Sequence, residues 1–238
     1  MPLADEEIER ILVVTAHPDD VDFGVAGSVA TWTDQGIEVA YCIVTDGDAG
    51  GFDPGVPRSE IAGIRRAEQR AAAEVVGVTD VTFLGHPDGR LYPTIDVRRD
   101  ISRVIRRVRP QRVVAQSAER NYERIYASHP DHLAAGEATL CAVYPDARNP
   151  FAHPELLDEG YEAWTVPEVL VMFTGGDLHV DITANVERKV KALLCHVSQM
   201  TNPDAMDNLI RGWGGANASA AGLPEGRYAE SFKVLATG

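Results

Sequence analysis

Short aliphatic runs alternate with amphipathic stretches along most of the chain. Ile11, Leu12, Val13 and Val14 form a continuous apolar run within 10–16, as expected of a strand buried on both faces. Residues 37–45 form a second such run, and 81–84, 112–115 and 169–173 are further strand candidates. Between them, helical periodicity predicts helices over 23–35, with Gly36 as a C-terminal stop, and over 59–76, closed by Gly77. Further helices are expected near 95–108, 133–143 and 185–199, and Gly, Asp and Pro make 46–57 a loop. Strands alternating with helices imply a mostly parallel sheet covered on both faces, an α/β fold. No repeat or linker marks a boundary, so 1–238 reads as a single domain. Its core is expected over about 8–200, with 201–238 as a C-terminal wrap, because periodicity weakens after Asn202.

Composition narrows the class. A 45% hydrophobic, 24% charged chain is globular, and a net charge of −14 weighs against nucleic acid or an anionic membrane surface as the main partner. No apolar run is long enough for stable membrane insertion. Cys42, Cys141 and Cys195 are odd in number and show no CxxC spacing, which suits reduced thiols and a cytoplasmic location. The arginine-rich stretch 96–112 does not alter this. Val97, Ile101, Val104, Ile105 and Val108 define one helical face and place the arginines on a solvated other face.

The chemistry concentrates in two near-identical packets, His17-Pro18-Asp19-Asp20 and His129-Pro130-Asp131-His132. The first directly follows a strand, at the end of a parallel sheet where ligands bind. One such packet arises by accident on the order of one time in a thousand at ordinary residue usage. A catalytic zinc requires three nitrogen or oxygen ligands and an open position, which His17, Asp20 and His132 would supply. Asp19 could accept a proton from water, and His129 could protonate a leaving group or stabilise an oxyanion. Asp131 is expected to orient His129 and raise its pKa. The same donors accept Fe(II) or Co(II).

These packets resemble those of the LmbE-like, or PIG-L, family of zinc-dependent de-N-acetylases. The likeness continues through Thr45-Asp46-Gly47-Asp48, Arg65 with Glu68, and Phe83-Leu84-Gly85 to Asp88-Gly89. It extends to Lys191-Ala192-Leu193 with His196, Ser198 and Gln199, and to Ala229-Glu230-Ser231-Phe232. The resemblance implies removal of acetyl from an N-acetylated amino sugar, with one Zn2+ on His17, Asp20 and His132. It implies Asp19 as base, and His129, paired with Asp131, as general acid or oxyanion stabiliser. Sugar contacts would come from Asp48, Arg65 and Asp88. Asp22 stands where the family commonly has Glu, Ala26 replaces a Gly, and Asp48 is a methylene shorter than the usual Glu. Tyr126 lies where a tyrosine of the family can bind an oxyanion, and His196 is open between packing and substrate positioning.

The expected protein is therefore a zinc amidohydrolase on a Rossmann-like three-layer fold, acting on a soluble small glycoside. Two other readings stay open: hydrolysis of a different amide such as a thiol conjugate, and a sugar- or metal-binding module without turnover. His86, His153 and His179 read as hydrogen-bonded structural histidines, and Gly24 with Gly27 is too little for a dinucleotide site. Oligomeric state, including a homo-oligomer, is left open.

Overall fold

The computed structural model describes residues 2–123, 125 and 128–237. Seven strands form one sheet: β1 Arg10–Thr15, β2 Glu38–Thr45, β3 Asp80–His86, β4 Arg112–Ala115, β5 Glu168–Met172, β6 Leu178–Asp181 and β7 Ala229–Ala236. Their order is β3-β2-β1-β4-β5-β7-β6. The first five are parallel, whereas β7 runs antiparallel to both β5 and β6. Among the described residues there are eight α-helices: α1 Asp20–Gly24, α2 Ala26–Asp34, α3 Arg58–Val75, α4 Ile95–Val108, α5 Pro130–Cys141, α6 Glu155–Asp158, α7 Val186–Leu193 and α8 Pro203–Ala220.

Strand periodicity sorts the core into two layers. Ile11, Val13, Tyr41 and Ile43 point to one face, where Val29 and Trp32 of α2, Ala72 and Ala73 of α3 and Ala192 of α7 cover them. Leu12, Val14, Cys42 and Val44 point to the other, beneath Val97, Ile101 and Ile105 of α4 and Ala135 and Ala138 of α5. The result is the expected α/β sandwich of helix, sheet and helix. Among the described residues no helix is long and apolar enough to cross a membrane.

The structure departs from the sequence reading in several places, among them the helix expected over 185–199, which ends at Leu193. The helix expected over 23–35 is two helices, broken at Val25, whose φ of −143° and ψ of 2° are not helical. The expected wrap after Asn202 is instead α8 followed by β7, which lies inside the sheet. Asn202 caps α8 by accepting from Ala205 N–H at 3.1 Å, and Pro203 occupies its first turn. Only Ile210, Gly214 and Ala218 of α8 are buried, a stripe too thin and small to show as hydrophobic periodicity. The arginines of α4 mostly pair with acidic side chains: Arg103 and Arg107 with Glu159 and Asp80 at the surface, and Arg98 with the buried Asp146. Arg106 is the exception: it is buried, and its guanidinium donates to the carbonyls of Asp146, Ala147, Asn149 and Ala152.

Candidate active site

The chain leaves β1 toward β2 on one side and returns as β4 on the other, so the carboxyl ends of β1 and β4 flank a crevice. Both packets meet there. After β1, Pro18 offers no N–H, and His17 N–H turns back onto Asp20 Oδ2 at 2.7 Å. The second packet opens α5: His129 is the N-cap, its Nδ1 accepting from Asp131 N–H at 3.2 Å, with Pro130 in the first turn.

Three donor groups converge. His17 Nδ1 lies 3.2 Å from His132 Nε2 and 3.3 Å from Asp20 Oδ2, while His132 Nε2 lies 3.0 Å from Asp20 Oδ1. Ligands about 2.0–2.1 Å from a tetrahedral ion stand roughly 3.3 Å apart, so this spacing suits a first-row divalent cation. The opposite nitrogen of the same ring, His17 Nε2, faces Asp88 Oδ1 at 3.0 Å and Asp131 Oδ2 at 3.3 Å. A carboxylate on the far nitrogen fixes the tautomer that frees Nδ1 for a metal. Burial alone would lower the His17 pKa, but Asp131, Asp20 and Asp88 around the ring push it up to about 12. So much buried negative charge calls for a cation, and the donor set fits one. His129 also comes within reach, since the ligand atoms of His17, His129 and His132 lie within 4.8 Å of one another.

Asp19 stands beside these donors. Burial pushes its carboxyl up to about 6, against the pull of Arg65, whose Nη2 donates to Asp19 Oδ2 at 3.0 Å. That guanidinium is itself buried and also donates to the Pro18 and Gly47 carbonyls. Arg65 therefore anchors the Asp19 turn in addition to lining the pocket.

Other site residues occupy different positions from those expected. The Asp131 carboxylate does not orient the His129 ring: it accepts from Gly89 N–H at 2.7 Å and Leu91 N–H at 3.2 Å and faces His17. Correspondingly, the His129 pKa is lowered, by burial first and then by His17 and His132, rather than raised. Asp48 is held by Arg58 Nη2 at 2.9 Å and accepts from Asp88 N–H at 3.0 Å, so it supports Asp88 from behind and is absent from the pocket lining. Asp88 does line the pocket and is held down to about 2: burial opposes the shift, which the His17 and Ala49 hydrogen bonds drive. It closes a third His-Pro-Asp stretch whose histidine, His86, turns away to Asp100 at 3.2 Å. That repetition was the available signal for Asp88 beside the two packets. Tyr126 lies outside the described residues.

The pocket holds about 740 Å³. His17, Asp19, Asp20 and His132 line it, while Phe23, Phe173, Ile210 and Trp213 add apolar surface. Lys189 and Glu230 line it too, and nothing in the residue pattern marks Lys189 beyond its place in a helix. They form a buried ion pair, and Glu230 accepts from Gly27 and Ser28 N–H at 3.1 and 2.7 Å. Gly24 and Gly27 serve packing: a Cβ would fall 2.5 Å from Met172 Sδ and 2.6 Å from Ile182 Cδ1. His179 Nδ1 bonds to Ser231 Oγ at 2.8 Å, as expected of a structural histidine, whereas His153 Nε2 stands 3.5 Å from Asp146 Oδ2 without a hydrogen bond.

Comparison with known proteins adds three findings. The family model described as PIG-L, GlcNAc-PI de-N-acetylase, matches residues 12–143. Diacetylchitobiose deacetylase of Thermococcus kodakarensis is 33% identical over 194 residues, covering 81% of this chain and 71% of the relative. The structure of N,N'-diacetylchitobiose deacetylase from Pyrococcus horikoshii, complexed with its inhibitor MPG, superposes with a TM-score of 0.89 at 28% identity, covering 97% of this chain and 85% of that one.

Proposed function

The chain belongs to the PIG-L family of de-N-acetylases, and on that basis we propose that it hydrolyses the acetamide of a small N-acetylglucosaminyl glycoside, giving acetate and a free amine. The observation that carries this reading is the meeting of Asp19 with the His17, Asp20 and His132 donors in one pocket that His129 also lines.

His17, Asp20 and His132 would hold the metal, for which zinc is proposed, Fe(II) and Co(II) suiting the same donors. A divalent cation there supplies Lewis acidity, making water acidic near neutral pH and polarising an acyl oxygen. Asp19, its carboxylate held by Arg65, takes the proton from the attacking water. His129 Nδ1 is occupied by Asp131 N–H, so its proton sits on Nε2. Nε2–H then donates to the developing oxyanion, and the proton that Asp19 took from the water passes to the departing amine, so His129 keeps its own proton and the Asp19 carboxylate is restored. Asp131 and Asp88 keep His17 in the ligating tautomer. Strand β7 lies within the sheet, which supports reading 1–238 as one catalytic unit. Unpaired Cys42, Cys141 and Cys195 suit a cytoplasmic setting.

The pocket also bears on the aglycone. Among its described lining residues the only lysine and arginine, Lys189 and Arg65, are already paired with Glu230 and Asp19. With Phe23, Phe173 and Trp213 alongside, this supports a neutral glycoside over an anionic one.

The test is acetate and amine release from a panel of N-acetylglucosaminyl compounds by the metal-loaded protein. Asp19→Ala is expected to keep the metal and lose most turnover, whereas His17→Ala loses the metal. Near-normal turnover in Asp19→Ala at equal metal content rejects the base. Turnover of other amides alone, or binding without product, selects one of the two rival readings.

A further inference from the structure

The base at Asp19 sits on unusual backbone. Its φ of 95° and ψ of −29° place an L-residue in the left-handed region, which side chains with a Cβ disfavour. Asp19 O starts α1 by accepting from Asp22 and Phe23 N–H. Asp19 N–H leaves the helix altogether and donates to the side chain of Gln69, on α3, at 2.9 Å. The other end of that amide, Gln69 Nε2, donates to Asp22 Oδ2 at 3.0 Å, and the same oxygen receives His196 Nε2 at 2.8 Å. Gln69, Asp22 and His196 are fully buried.

We infer that His196, Asp22 and Gln69 are positioning residues: a buried polar chain that holds the backbone of Asp19 in its left-handed conformation and so aims its carboxylate into the pocket. The direction of the chain is fixed by chemistry. An ionised carboxylate only accepts, so Asp22 requires a proton on His196 Nε2 and the NH2 end of Gln69. The Gln69 oxygen is thereby left facing Asp19 N–H. Reversing the amide would set acceptor against acceptor at Asp22 and donor against donor at Asp19. The chain joins α3, the turn after β1 and the segment after α7, and Glu68 reinforces the last junction by accepting from Ser198 N–H and Oγ–H at 2.7 Å each. Asp22 is thus the hub of the arrangement.

This inference rests on Asp19 being the base, so the experiment has two arms. In the first, Gln69→Leu is expected to lower kcat about 100-fold, the scale of a misplaced catalytic group, with KM and bound metal unchanged. His196→Ala lowers kcat in the same way, and His196→Gln, which keeps an N–H at the Nε2 position, restores most of it. A purely structural role would lower the melting temperature without this kcat-only loss or the rescue. The second arm needs no turnover. Asp19→Gly is expected to melt roughly 2–4 °C above Asp19→Ala, because glycine accepts positive φ. That gap should close when Gln69→Leu, or His196→Ala if the leucine variant does not fold, frees residue 19 to relax. A gap of equal size in both backgrounds, or an unchanged kcat in the chain variants, overturns the inference. Absence of acetate release by the wild type removes the proposed reaction but leaves the melting comparison to judge the chain.

Discussion

Removing either half of the Lys189–Glu230 pair is expected to destabilise the protein, and by unequal amounts. Both side chains are about 5% exposed, and the ammonium also donates to Phe23 O at 2.7 Å. Removing one member of a buried pair typically costs about 3–5 kcal/mol, because the other charge is left uncompensated. Here the two survivors differ. After Lys189→Met, which retains most of the stem volume, Glu230 still accepts from Gly27 and Ser28 N–H in the first turn of α2. A helix N-terminus favours a partly buried carboxylate by up to about 2 kcal/mol, so the loss falls to roughly 1–3 kcal/mol. After Glu230→Ala, the ammonium keeps one carbonyl and those two N–H groups lose their acceptor, each costing about 1–3 kcal/mol. A loss of roughly 5 kcal/mol is expected. Urea unfolding at pH 7, with m-values checked for constancy, measures both. The reasoning fails if Lys189→Met costs more than Glu230→Ala, or if neither exceeds about 1 kcal/mol.

Other outcomes follow from the same geometry. Gly136→Ala should destabilise strongly, by about 3 kcal/mol or more, since its Cβ would lie 2.5 Å from Gln116 O and 2.9 Å from Ala118 N, backbone atoms that cannot swing aside; a wild-type melting curve would refute the close approach. A divalent cation at about 100 times its Kd should add about 2.7 kcal/mol, or several degrees in Tm, and His132→Ala should abolish the shift; equal shifts in both would place the metal elsewhere. Trp213→Ala should raise KM for an aromatic-stacked glycoside roughly 2- to 10-fold with kcat nearly kept; a kcat loss at constant KM would remove Trp213 from ground-state binding. Burial opposes, but Asp88 N–H and Arg58 hold the Asp48 carboxyl below its usual range. Its contribution is therefore present above the unfolded pKa of about 4 and vanishes as pH falls through the lower folded value. Asp48→Asn should be less stable than wild type at neutral pH, with the gap shrinking in acid; a constant gap would exclude that linkage.

Much of this protein was legible in its residues alone. The five parallel strands, four of the longer helices and both His-Pro-Asp packets are local features. A strand buried on both faces must be continuously apolar, and a proline-stiffened turn sets its donors within four residues of one another. What the sequence could not assign were partnerships across distance. Asp131 is adjacent to a ligand, but strand order carries it against His17 instead of His129. Arg65 and Asp48 read as sugar contacts, yet packing of the turns gives them Asp19 and Asp88 to hold. Helix α8 and strands β6 and β7 escaped notice because their buried positions are few, small or short, and the existing sheet supplies most of their order. Local pattern determines which groups are present and which way the chain turns. Only burial and register, acting between residues far apart in sequence, decide which charge each buried group must face, because there an unpaired group has no water to turn to.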